Sequence, residues 1–169
     1  MFDAIVLGVD PGIAMLGLAV VGRRDRRMSL LWSDTVRTPS GLAEAARLER
    51  VADGVTAAIA AHRPTAVALE RVAWNRNQVS ALQVARATGA VMVVASRAGL
   101  AVEEYGPNEV KIAVTGMGNA DKGQVRLALE RVHGLRDVPS QPDAADAAAV
   151  ALTHILASRM RGLTQAAAR

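Results

Sequence analysis

The order of apolar runs predicts an α/β protein, a five-stranded mixed sheet flanked by helices on both faces. Three Val- and Leu-rich runs follow one another before Thr38 with only turn-sized gaps, and helical and strand-like patterns then alternate to the C-terminus. The chain has 169 residues, of which 51% are apolar but only 2% aromatic, so one domain with a core of Val, Leu, Ile and Ala is expected.

AIVLGVD reads as the first strand, PGIA as a turn, MLGLAVVGR as the second strand, and residues 28–38 as the third, together a β-meander. Arg23, Arg24, Arg26 and Arg27 cluster at the second turn, where a solvated hairpin is the plainer reading than a binding patch. Between residues 41 and 62, Leu42, Ala45, Leu48, Val51, Val55 and Ile59 recur at helical spacing, and Pro64 ends the helix. Residues 65–70 are almost wholly apolar, as in a strand covered on both faces. Glu70 closes that strand and opens the polar loop RVAWNRNQ. A helix rich in small residues is expected over 79–98, a strand over 101–105, and a short helix from Pro107 that carries Lys111. GMGNADKGQ reads as a flexible turn before a helix at 124–133, and the last helix is expected over 143–160. Beyond Gly162 little remains to bury, which predicts a single domain over 1–162 and a flexible tail over 163–169.

No apolar run approaches the roughly 20 residues that span a bilayer, and no signal peptide is apparent, so a soluble cytoplasmic protein without a membrane partner is expected. Without cysteine there is no disulfide, thiolate nucleophile or Cys-based zinc site, and any metal must be held by oxygen or histidine. The formal charge is +4, and gathering several acids into one site would leave the remaining surface more basic, which favours a polyanionic partner. Only two of the 20 basic residues are lysines, Lys111 and Lys122, both beside polar turns where a compact ammonium can meet phosphate.

Four carboxylates fall at the ends of apolar elements: Asp10 and Glu70 close strands, while Asp143 and Asp146 open the last helix and share one of its faces. Singly, Asp10 suits a turn before Pro-Gly, and the helix aspartates suit the positive end of the helix dipole. Glu70 has no such local task. Together the four can converge on one end of the sheet, where their repulsion calls for a divalent cation, and hard oxygen donors suit Mg²⁺ or Mn²⁺. Two such ions form the usual centre for phosphodiester hydrolysis, so a metal-dependent nuclease is expected. Trp74, a large ring in the loop after Glu70, is placed to stack on bases, and Arg71, Arg76 and Arg86 are candidate phosphate contacts. His62, His133 and His154 receive no role.

VLGVDPG, ALERV, GMGNADKGQV and PDAADAAAVALTH resemble, in order and spacing, the RuvC family of Holliday-junction resolvases over nearly the whole chain. The PDAADA helix is the specific part. The resemblance implies an RNase H-like fold, a homodimer paired through the helix at 79–98, and paired incisions in a four-way DNA junction. It also implies that Asp10, Glu70, Asp143 and Asp146 are metal ligands, that Lys111 and Lys122 lie near the scissile phosphate, and that the RuvAB complex is a partner. The family usually has an aromatic three residues after the loop glutamate; Ala73 stands there, so Trp74 is expected to take over base stacking. The expected reaction is in-line attack on a phosphodiester assisted by two ions, leaving 5′-phosphate and 3′-hydroxyl ends. The rival readings are an RNase H-like nuclease acting on ribosomal RNA, a non-catalytic junction-binding protein, and a sugar-kinase or actin-like nucleotide binder, for which the chain is short.

Overall fold

Alternation along the first strands decides what each side of the sheet meets. In the computed structural model, which describes residues 1–72 and 78–167, β1 (Ala4–Asp10), β2 (Met15–Arg24) and β3 (Arg27–Arg37) form an antiparallel meander. There follow α1 (Glu44–His62), β4 (Ala66–Glu70), α2 (Gln78–Arg97), β5 (Ala101–Tyr105), α3 (Pro107–Thr115), α4 (Lys122–Arg131) and α5 (Pro142–Ala167). The sheet order is β3-β2-β1-β4-β5, with β4 parallel to both β1 and β5. The expected five-stranded mixed sheet with helices on both faces is therefore present.

One face gathers mostly large side chains, and the other mixes small ones with Val6, Val21 and Tyr105. Leu7, Val9, Leu16, Leu18, Val67 and Leu69 pack against α1 and α2, where Val51, Val55, Ala87 and Val91 meet them. On the opposite face Ala19 and Ala68 lie in the core with the alanine run of α5, alongside side chains of α3 and α4. Because strand side chains alternate, Asp10 shares the face of Val6 and Gly8, and Glu70 that of Ala68. Both carboxylates thus emerge on the side that α5 covers.

Two glycines seat that helix. A Cβ on Gly8 would overlap the carbonyl oxygen of Ala147 and stand 2.8 Å from the Cβ of Ala151. A Cβ on Gly17 would overlap the carbonyl oxygen of Asp143 and lie 3.0 Å from that residue's Cβ. In both cases the obstacle includes helix backbone, which no rotamer change relieves. Gly8→Ala is expected to destabilise the protein by about 2–3 kcal/mol in urea unfolding; a midpoint equal to wild type would mean that α5 rides outward at no cost.

Several boundaries differ from those expected from sequence. Helix α1 begins at Glu44 rather than 41, because a turn closed by Leu42 N–H on the Pro39 carbonyl (3.2 Å) precedes it. Helix α4 begins at Lys122 rather than 124. Asp121 accepts from the Gln124 N–H (2.8 Å) while the Gln124 side chain accepts from the Asp121 N–H (2.9 Å), a capping box that puts Lys122 in the first turn. Helix α5 continues past Gly162 to Ala167, in keeping with the high helix propensity of its alanines. The stretch Val79–Arg97 has a mean hydropathy of 1.4 over 19 residues, enough by length and composition to cross a bilayer, contrary to the expectation that no run approaches this. Here it packs on the sheet through Ala87, Val91 and Ala95, and Arg86 within it pairs with Glu44 of α1.

Candidate functional site

Parallel pairing of β1 with β4 brings their carboxyl ends together, and with them Asp10 and Glu70. Asp10 pairs across β1–β2 with Gly17, the residue that lets the first turn of α5 lie directly on the sheet. Asp143 and Asp146 therefore arrive beside Asp10. On the other flank Pro107 starts α3, which carries Lys111, and the Asp121 cap fixes the start of α4, which carries Lys122. Asp10, Glu70, Asp146, Lys111 and Lys122 line one cleft of about 380 Å³, walled by Val110, Val125, Ala149 and Val150.

The electrostatics of the cleft follow from burial without a compensating cation. The carboxyl of Asp10 is pushed up to about 8, first by burial, then by the charge of Glu70 and a hydrogen bond with it, and further by Asp146 and Asp143. Glu70 is also raised, mainly by burial; the hydrogen bond from Asp10 and the charges of Lys122 and Lys111 pull it back down, while Asp146 adds to the rise. Burial and mutual repulsion thus favour a proton held between the two side chains in the metal-free cleft. Lys122 Nζ lies 2.6 Å from Asp146 Oδ2, and that hydrogen bond raises the ammonium's pKa against the opposing effect of burial, helped by the charges of Asp146, Asp10 and Asp143.

Among the described residues no three carboxylate or histidine side chains stand in metal-holding geometry. The donor set nevertheless fits a hard divalent cation. All the candidate ligands are oxygens, and a buried carboxyl pair that must keep a proton at neutral pH occupies the place where a cation's charge would be accommodated. In the metal-free protein the native state holds a proton that the unfolded chain releases, so stability from Asp10 is complete below its ordinary value of 3.8 and is lost as pH rises to about 8. Calorimetry in EDTA is expected to show the unfolding midpoint falling across that window by about 5–10 °C, and Asp10→Asn is expected to remove this fall. An equal fall in the variant would assign the dependence to other groups.

The structure brings the sequence candidates together unevenly. Asp10, Glu70, Asp146, Lys111 and Lys122 share the cleft, and Asp143 stands beside it over Gly17, close enough to act on Asp10 and Lys122. Ala73, Trp74 and Arg76 lie outside the described residues. Arg71 is engaged by Glu109 (3.6 Å) and by the Glu104 carbonyl (3.2 Å), and Arg86 by Glu44. The histidines are structural: His62 lies against Trp32, His133 Nε2 bonds the Val114 carbonyl, and His154 Nδ1 meets the Tyr105 hydroxyl at 3.0 Å. Gly17 went unread in the sequence, although a glycine inside a strand pattern marks a close backbone approach.

The sequence profile of the family described as Crossover junction endodeoxyribonuclease RuvC matches residues 6–154. The Rubrobacter xylanophilus protein of that description is 41% identical over 160 residues, covering 95% of this chain and 89% of the relative. The one from Frankia alni is 46% identical over 151 residues, covering 89% and 77%. Among solved structures, T. thermophilus RuvC in complex with Holliday junction substrate superposes with a TM-score of 0.87 at 38% identity, covering 94% of this chain and 96% of that one. The yeast mitochondrial Holliday junction resolvase Ydc2, at 10% identity and a TM-score of 0.65, shares the RNase H-like fold.

Proposed function

The chain belongs to the crossover junction endodeoxyribonuclease RuvC family, and from that premise we propose that its acidic cleft hydrolyses phosphodiesters in four-way DNA junctions. It is a metal-dependent endonuclease of the Holliday-junction resolvase type. The observation that carries the assignment to this cleft is the gathering of Asp10, Glu70 and Asp146 with the two ammonium groups of Lys111 and Lys122 around one hollow. Asp10, Glu70, Asp143 and Asp146 are the proposed ligands of two Mg²⁺ or Mn²⁺ ions. When bound, such ions supply a nucleophile at neutral pH and stabilise charge on the leaving oxygen.

The chain's own residues do the rest. Asp10, on which both Glu70 and Asp146 act, would hold the cations together with them and would bind them as the carboxylate. Lys122 holds Asp146 in the unloaded cleft and is exposed enough, at 72%, to turn its ammonium toward an entering phosphate. Lys111, which already acts on Glu70 across the cleft, neutralises phosphate charge from the other wall. The apolar walls limit water around these charges, which strengthens each interaction. Trp74 and Arg76, by their place in the sequence after Glu70, are proposed for base stacking and phosphate contact. Nuclease activity on the nucleoid further proposes a cytoplasmic location, and residues 1–162 are proposed as its single domain.

Paired cuts in a two-fold junction suit a two-fold enzyme. Val79, Leu82 and Val93 are exposed at 69%, 48% and 50% on α2, and at 100° per residue they fall within about 60° of one another. We assign this stripe to a homodimer, with the RuvAB complex as a further proposed partner. Val93→Glu is expected to weaken the dimer at least tenfold by sedimentation; unchanged association would remove α2 from the interface.

The test of function is cleavage of a synthetic mobile four-way junction in Mg²⁺ and Mn²⁺, beside matched duplex and RNA–DNA hybrid. Symmetric junction-selective nicks support the assignment. Cutting of the hybrid alone would favour the RNA-processing reading, and junction binding without cutting a non-catalytic one.

A further inference from the structure

The basic hairpin that the acidic cleft leaves unused forms half of a groove. Asp25, in the left-handed region with φ 56°, turns the chain between β2 and β3 so that Arg26 and Arg27 stand at the tip. Opposite them are Arg131, which ends α4, and Arg136 in the loop that follows. That loop is anchored by the buried side chain of Leu135 and by His133 Nε2 on the Val114 carbonyl (2.9 Å). The groove between them measures about 770 Å³, and Asp137 is the single carboxylate lining it. All four arginines are exposed, and among the described residues none is in an ion pair. Such a cluster repels itself unless an anion lies across it.

Its position relative to the cut is set by α4. Strands β1 and β2 are antiparallel, so the hairpin lies at the end of the sheet away from Asp10. Lys122 begins α4 in the cleft and Arg131 ends it at the groove, an axial distance of about 14 Å at 1.5 Å per residue. One DNA strand carries a phosphate about every 3.4 Å of helix axis, so this span covers about four phosphates. A smaller hollow of about 190 Å³ adjoins the cleft, with which it shares Lys122 and Asp146.

We propose that the groove formed by Arg26, Arg27, Arg131 and Arg136 holds the phosphate backbone of a junction arm beyond the cleft. The inference rests on the junction-cleaving reading above. Guanidinium forks match phosphate oxygens in charge and geometry. The cleft's own substrate is a polyanion, and the groove stands about four phosphates from Lys122 along the axis of α4, which favours nucleic acid over an acidic protein segment.

The test measures binding of an immobile four-way junction in EDTA as a function of salt, for wild type, Arg131→Ala/Arg136→Ala and Arg26→Ala/Arg27→Ala. Two junctions are used, one with long arms and one whose arms end before the groove. Each double variant is expected to bind the long-armed junction roughly tenfold more weakly, and its log–log salt slope is expected to fall by about two. The short-armed junction should bind all three proteins alike. Equal affinity and slope on long arms would overturn the proposal, and so would an equal loss on both junctions, which would signal a diffuse charge effect. Cutting of the long-armed junction by wild type in Mg²⁺ reads out the underlying function separately.

Discussion

Asp10→Asn is expected to lower junction cleavage by about 10³-fold or more at saturating junction and metal, since it removes a proposed metal-binding carboxylate from the kind of centre that supplies several kcal/mol of transition-state stabilisation. Junction binding in EDTA at neutral pH should stay near wild type. The reason lies in the metal-free cleft, where burial and the charge of Glu70 favour a neutral Asp10 side chain hydrogen-bonded to Glu70. Asparagine copies that state in shape and charge, but it cannot lose a proton to a cation. Raising Mg²⁺ should therefore stabilise the wild type against heat and leave the variant nearly unmoved. Single-turnover cleavage and a Mg²⁺ titration of the unfolding midpoint check the two halves. Wild-type cutting by the variant would remove Asp10 from the centre.

Lys122→Met is expected to cost about 10²–10³-fold in single-turnover rate, the usual scale for removing one group that stabilises transition-state charge in a partly desolvated site. The loss should appear in the rate at saturation more than in junction affinity, because many other phosphate contacts remain. Structure should survive: Lys122 is 72% exposed on its side chain, and the cap between Asp121 and Gln124 that starts α4 does not involve it. With its ion-pair partner gone, Asp146 has more freedom, so the variant's affinity for Mg²⁺ should hold or rise. Full activity in Lys122→Met would leave Asp146 pairing as the lysine's whole task.

Most of this architecture was legible because the periodicities are strong. Short apolar runs such as AIVLGVD and MLGLAVVGR, bounded by turn residues, and helical spacing over 41–62 each left little choice, and the five strands lie close to where they were expected. Glu70 was legible because a charge ending an apolar strand has few local explanations, and the other three carboxylates because, like it, they fall at the ends of apolar elements. What escaped the reading was tertiary. The start of α4 depends on a reciprocal cap that GNADKGQ contains but that its glycines obscured. The hairpin arginines read as a solvated tip because Arg131 and Arg136, far along the chain, become their neighbours only through the packing of α4 and its following loop. Likewise nothing local says that Gly17 stands opposite Asp10 and beneath Asp143, since that triangle joins three separate elements.

The seating of α5 on Gly8 and Gly17 bears on how accurately this chain can be copied with errors. Where a helix is located by interlocking side chains, its depth drifts with every change of rotamer or methylene. Here it rests on backbone, so its height above the sheet is a hard stop rather than an average over soft contacts. Asp143 and Asp146 inherit that datum from the first turn, whatever happens in the helices that carry Lys111 and Lys122. Surface and loop sequence are thus free to diverge under selection for different DNA contacts, while the two glycines and the small residues facing them form a fixed gauge that mutation can break but hardly adjust.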